Sequence, residues 1–204
     1  MSSALRTPRV FSAEEYLWVE RNASFKSEFF NGTIITMSGA SEAHIIINAN
    51  LGRAVGNQIA GSGCLELGND MKVRTASKGM FSYPDLTVVC GERLYHDVKR
   101  DVLLNPTVLF EILSPSTEAV DRGEKFLMYQ ELESLREYVL VSHKMPRIEW
   151  YVRRENNLWM PSVAIGLEAS VTLSSIPVTL PLSAMYANVV FPTVLSLTET
   201  EDED

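Results

Sequence analysis

Three short runs constrain the fold more than any other part of the chain: Asp85-Leu86-Thr87-Val88-Val89, Thr107-Val108-Leu109-Phe110-Glu111-Ile112-Leu113 and Tyr138-Val139-Leu140-Val141. Each is apolar almost without a break, where a strand with one wet face would alternate. Strands of this kind lie at the centre of a sheet covered on both faces, so helices must flank them. The helix signals fall where that covering is needed. Ser12 with Glu15 makes a capping box that opens a helix to about Arg21. Ser41 caps a second helix, whose Ile45, Ile46, Ala49, Leu51, Val55 and Ile59 form a broad apolar side. Gly52 and Gly56 weaken it slightly and permit close packing against a sheet. Ser114-Pro115-Ser116-Thr117 leads into a third helix from about Glu118 to Leu132, with Phe126, Tyr129 and Leu132 at helical spacing. Residues 181–188 close the chain as a short helix.

Further strands surround this frame. Asn31-Gly32 is a strong hairpin signal between residues 25–30 and 33–38. Residues 64–75 contain a strand carrying Asp70, Met71, Lys72 and Val73. Ile148-Glu149-Trp150-Tyr151-Val152 and Leu158-Trp159 read as an antiparallel meander with alternating faces. The expected class is α/β, a mixed sheet flanked by helices in the order αβββαβ. An N-terminal helix and hairpin precede this core, and a C-terminal antiparallel β extension follows it. Repeats and low-complexity linkers are absent, so one domain is expected over residues 1–198, with 199–204 as a disordered acidic tail.

Charge bears on the partners. The chain of 204 residues has a formal charge of −8, which argues against a generic nucleic-acid binder. Residues 199–204 read ETEDED, however, and without them 18 basic side chains face 21 acidic ones. The body is only mildly acidic, and nucleic acid remains open. No apolar stretch nears the roughly 20 residues a membrane span requires, and Met1 to Phe11 lacks the apolar segment of a secretory signal. Cys64 and Cys90 have neither metal-site spacing nor the density of a disulfide framework, which suits a reducing cytoplasm.

Two residues break the apolar pattern of the central strands. Asp85 and Glu111 each sit where burial is expected, and a buried carboxylate is costly unless paired, hydrogen-bonded or bound to metal. On neighbouring strands the two could converge on one hard cation, Mg²⁺ or Mn²⁺. The bland alternative is that each ends a strand in water or pairs with arginine. Glu111 resists it better, with three apolar residues directly before it and two after.

The stretches SEFFNGTIITMSGASEAH at 27–44, YPDL at 83–86, FEILSPSTEAVDRGEKFLMY at 110–129 and SLREYVLV at 134–141 add a resemblance. In this order they resemble the PD-(D/E)XK nuclease superfamily, and within it a bacterial family of small proteins described as restriction endonucleases of otherwise unknown function. The resemblance implies a restriction-endonuclease-like core and metal-dependent hydrolysis of DNA phosphodiesters. Asp85 matches the Asp of the Pro-Asp motif and Glu111 the second acid; with the backbone carbonyl of Ile112 they would hold Mg²⁺ or Mn²⁺. The superfamily lysine would fall at position 113, where this chain has Leu113. Lys125, about two turns into the following helix, is the candidate substitute.

Glu28 corresponds to an acid of the family's N-terminal motif, as a further metal ligand or a group orienting water. His44 would contact phosphate or hold an acid. Asp70 is expected on the first core strand, pointing to the same cleft. Asp121 and Arg122 could orient Lys125 or bind phosphate. Tyr129 would line the pocket, though aromatic residues at that spacing also fill cores. A basic surface of Lys72, Arg74, Lys78, Arg122 and Lys125 would bind DNA in a salt-dependent way. Trp150, Tyr151 and Trp159 could stack on bases, fill a core or form a homodimer contact. Two other functions stay open: a catalytically silent relative serving as a nucleic-acid-binding or assembly module, and a hydrolase of other substrates with a closed small pocket.

Overall fold

The capping box at Ser12 forms as expected. Ser12 Oγ accepts from the Glu15 N–H at 3.1 Å, and the Glu15 carboxylate accepts from the Ser12 N–H at 2.9 Å. The computed structural model describes residues 9–75 and 79–191. Lys78 and the tail at 199–204 lie outside the described residues. Helix α1 spans Ala13–Asn22 and is followed by the hairpin of β1, Ser27–Phe30, and β2, Thr33–Thr36. Asn31 and Gly32 take φ of 47° and 85°, the left-handed pair that a tight hairpin requires. Ser41 caps α2, Glu42–Ile59.

Six strands then follow: β3 Cys64–Gly68, β4 Lys72–Arg74, β5 Phe81–Ser82, β6 Leu86–Cys90, β7 Val102–Leu103 and β8 Val108–Leu113. The helical stretch after them has three parts. These are α3 at Glu118–Val120, a π turn at Asp121–Lys125 and α4 at Phe126–Tyr129. Strands β9 Glu137–Ser142, β10 Arg147–Arg153 and β11 Trp159–Ile165 form the expected meander. A small pair, β12 Ser170–Thr172 and β13 Thr179–Pro181, precedes α5 at Leu182–Met185.

The main sheet has the order β11-β10-β9-β8-β6-β3. Only β8 and β9 run parallel in it, joined by the helical stretch; the other pairs are antiparallel. Taken as α2, β3, β6, β8, the broken helix and β9, the core has the αβββαβ order. A second sheet, β2-β1-β5-β4-β7, lies apart from it. The strand expected over 64–75 is therefore two strands in different sheets, separated by a turn that contains Asp70. The helix expected over 118–132 is shorter and is widened by the π turn.

Strand β8 is buried on both faces. Val108, Phe110 and Ile112 pack with Ile47, Leu51, Val55 and Ile59 of α2. Leu109 and Leu113 pack with Phe126, Met128 and Tyr129 on the other side. Period-2 alternation thus puts Glu111 on the α4 side. Tyr151 and Trp159 also join that core, with ring centroids 4.4 Å and 5.4 Å from Phe126, while Trp150 faces the α2 side. These rings are spent on packing rather than on a stacking surface.

The cysteine expectation is overturned. Cys64 and Cys90 lie directly opposite each other across β3 and β6 and form a disulfide. Neither the composition nor the 26-residue separation predicts this pairing; the strand register creates it. The cysteines therefore give no support to a reducing compartment. Among the described residues no helix is long and apolar enough to cross a membrane.

Candidate active site

Glu111, Lys125, Glu28 and Asp121 come together on the α4 side of the main sheet. Alternation aims Glu111 there, and the turn at Asp121–Lys125 sets Lys125 over it. Lys125 Nζ lies 3.0 Å from Glu111, 3.2 Å from Glu28 and 3.4 Å from Asp121. Glu28 arrives from β1 and also accepts the Tyr83 N–H at 2.9 Å, which ties the hairpin to the segment carrying Asp85. Tyr129, on the next turn after Lys125, donates to Glu111 at 3.0 Å and shares a 2.7 Å hydrogen bond with Ser82.

Asp85 stands at the mouth of β6 beside this group. One of its oxygens pairs with His44 Nε2 at 2.8 Å, and the other accepts the Ile112 N–H at 2.7 Å. Ile112 directly follows Glu111, so this bond fixes the two expected motif acids side by side. His44 reaches Asp85 from the first turn of α2, where the Ser41 cap orients the helix.

Burial pushes the Glu111 carboxyl well above its ordinary range; Lys125 opposes that, while Asp121, Asp85 and Glu28 add to it. Burial also raises Asp121, against the pull of Lys125. For Lys125 burial acts against the charge, yet Glu111, Glu28 and Asp121 outweigh it and hold the ammonium well above its usual value. Lys125 is thus a fixed positive charge among four carboxylates.

That donor set fits a hard divalent cation. Four carboxylates outnumber the single ammonium, and the buried acids repel one another when ionised. Among the described residues no three metal-binding side chains close on one point. Mg²⁺ commonly takes only one or two protein carboxylates and keeps several waters. The oxygens of Asp85 each retain a second lone pair beside their hydrogen bond.

Other expected residues lie elsewhere. Lys72 is buried behind β4, 3.0 Å from the Tyr83 hydroxyl and 3.3 Å from Asp101, and offers nothing to a substrate surface. Its short strand joins the second sheet, and that removes it from the cleft. Asp70 is 87% exposed in its turn and pairs with Lys26. Arg122 is bound by Glu118 and Glu149, and Arg74 by His96. Tyr129 is fully buried against Glu111 rather than lining an open pocket. The sequence reading missed Ser82, whose single hydroxyl in an apolar strand gives no signal.

The Uma2 family profile, described as "Putative restriction endonuclease", matches residues 13–184. This chain belongs to the Uma2 family. Two relatives from Synechocystis sp. extend the match. Uncharacterized protein slr1290 is 34% identical over 184 residues, covering 88% of this chain and 93% of the relative. Uncharacterized protein sll1609 is 31% identical over 168 residues, covering 82% and 95%. A crystal structure of a putative nuclease belonging to DUF820, from Anabaena variabilis, superposes with a TM-score of 0.73. It is 15% identical and covers 88% of this chain and 99% of that one, a likeness of fold. The Uma2 chain thus has the mixed α/β nuclease-type fold expected from its sequence.

Proposed function

We propose that this Uma2 protein is a metal-dependent endonuclease that hydrolyses DNA phosphodiester bonds. The observation that carries the reading is Lys125 Nζ at 3.0 Å from Glu111. A lysine from the following helix stands where the strand, with Leu113, supplies none. Asp85, Glu111 and the Ile112 carbonyl would hold Mg²⁺ or Mn²⁺, with Glu28 as a further acid at the edge. When bound, the cation would polarise the phosphate and lower the pKa of a water ligand.

The chain's own residues have separable tasks in this reading. Lys125 keeps its proton, so it acts as a positive charge facing the phosphate and not as a base. The Glu28 and Asp121 carboxylates aim that ammonium. His44 and the Ile112 N–H hold Asp85 in one orientation, and Tyr129 does the same for Glu111. A homodimer contact on the aromatic-rich C-terminal meander belongs to the same reading.

A catalytically silent nucleic-acid-binding or assembly module is the second reading, and Leu113 favours it. Carboxylates surround Lys125, however, where a plugged relative would have apolar side chains. The third reading required a closed pocket, and the cavity beside His44 is an open groove.

Purified protein incubated with plasmid and linear DNA should nick both in Mg²⁺ or Mn²⁺ and neither in chelator. Asp85→Ala and Glu111→Ala should each abolish the nicking. Equal activity in those variants would assign the cleavage to a contaminant and end the proposal.

A further inference from the structure

A groove of about 560 Å³ runs between α2 and the β3–β6 side of the main sheet. His44 forms part of its wall, so it begins at the partner of Asp85. Asn48 and Gly52 follow His44 at successive turns of α2, about 12 Å along the helix axis at 1.5 Å per residue. Glu66 and Gly68 of β3 complete the facing wall.

The lining has an unusual chemistry for a protein that handles a polyanion. Among the described residues no Lys or Arg lines it, although phosphate contacts are made chiefly by those side chains. Besides His44, its polar side chains are the Asn48 and Asn69 amides and the Glu66 carboxylate. None of these three side chains has a hydrogen-bond or ion-pair partner among the described residues. A carboxylate repels phosphate but accepts from an amine, and an amide both donates and accepts. These are the groups that pair with the edges of nucleobases.

The glycines add an independent observation. Gly56 has a packing reason to be glycine, since a Cβ there would lie 2.5 Å from Glu66 Oε1. Gly52 and Gly68 have none: a Cβ at either meets nothing within 4 Å, and neither takes a positive φ. Gly52 even weakens the helix it sits in. What the two missing side chains provide is a flat, open slot.

We propose that this groove receives an unstacked nucleobase bearing an exocyclic amine, beside the phosphodiester at Asp85 and Glu111. The proposal rests on the nuclease reading above and gives it a substrate class. A base can enter a groove of this kind only when it is unstacked, so single-stranded DNA is the favoured substrate and duplex is nicked where a base leaves its stack. Cytosine, adenine and guanine carry the amine that Glu66 would accept; thymine does not.

The test uses the full chain, with labelled oligo-dC, oligo-dT and a duplex. Binding is measured by anisotropy in Ca²⁺, and cleavage in Mg²⁺. Oligo-dC should bind and be cut about tenfold better than oligo-dT or the duplex, the worth of a hydrogen bond to a charged group. Gly52→Leu, which fills open space and favours the helix, should remove that preference; Glu66→Leu should remove the discrimination against oligo-dT. Thermal melting checks that both variants fold. Wild-type affinity of Gly52→Leu for oligo-dC, or tighter binding of the duplex by the unmodified protein, would overturn the groove assignment. Two results separate this proposal from the one it rests on. Groove-dependent binding of oligo-dC without cleavage in any metal supports the groove and overturns the nuclease reading. Cleavage that needs Asp85 and Glu111 but ignores Gly52→Leu does the reverse.

Discussion

Two buried lysines of this chain make nearly the same contacts and sit in opposite electrostatic settings. Lys72 joins the Tyr83 hydroxyl, which donates to Glu20 at 2.7 Å. Lys125 lies against Glu111, to which Tyr129 donates at 3.0 Å. Each group is thus a lysine, a tyrosine and a glutamate. Around Lys72, charge is nearly matched: Asp101 contacts both Lys72 and Arg21, and Arg21 also holds Asp97. Among the described residues no arginine answers the four acids around Lys125. Matched charge binds α1 and the 97–101 loop to the second sheet, whereas the surplus acid around Lys125 is what the proposed cation would offset. Burial of a lysine alone does not separate these cases, but the ratio of acids to bases around it does.

Exchanging the lysines should separate the two regions most strongly. Lys125→Met should lower cleavage by about a hundredfold to a thousandfold, the usual worth of a preorganised charge at a reacting centre. Lys72→Met should leave cleavage intact and cost about 3 kcal/mol in urea unfolding, because it strands buried partners. If Lys72→Met abolished cleavage in a stably folded protein, the contrast would fail.

The response to pH should differ in sign. Arg21 holds Asp101 down to about 2, against the opposing effect of burial and with the help of Lys72. A depressed carboxyl contributes stability above its unfolded value near 4, and loses it as pH falls through the folded value. The fall between about pH 4 and 2 should amount to at most about 2 kcal/mol and be absent in Asp101→Asn. Glu111 is raised, so its contribution is complete below the unfolded value and is lost as pH climbs through the folded one. Glu111→Gln should therefore flatten a loss of stability that sets in as pH rises above the ordinary carboxyl value. Denaturant midpoints across pH measure both slopes, and equal slopes in the two variants would contradict the distinction.

The tyrosines should give the smallest effect. Tyr83→Phe and Tyr129→Phe each remove one hydrogen bond to a carboxylate, about 1–2 kcal/mol of stability. Only Tyr129→Phe should also reduce kcat, with KM little changed, because it frees Glu111.

The frame of the molecule was legible because its signals are local: the Ser12–Glu15 box, the Asn31–Gly32 hairpin and the unbroken apolar run of β8. Glu111 was legible because a lone acid in such a run has few places to go. Lys125 is singled out only through the family resemblance, and nothing marks Lys72 as buried, since each lies in a polar stretch and its partners come from distant segments. Strands β4, β5 and β7 have two or three residues each, too few to show a period, so the second sheet and the burial of Lys72 were hidden. The disulfide depends on the register of β3 against β6, which neither strand encodes alone.

The wide turn at Asp121–Lys125 makes the site sensitive to chain length as well as to residue identity. A π turn holds one residue more than α-helical winding requires. Deleting one residue ahead of Lys125 would let the segment rewind, with the helix still closed onto Phe126. The spacing from Asp121 to Lys125 would then fall from four residues to three, changing the angle between the two side chains while Lys125 keeps its place before Phe126. A frame-preserving deletion of a single codon would thus unseat Asp121 from the ammonium with every acid, the lysine and the core packing still present.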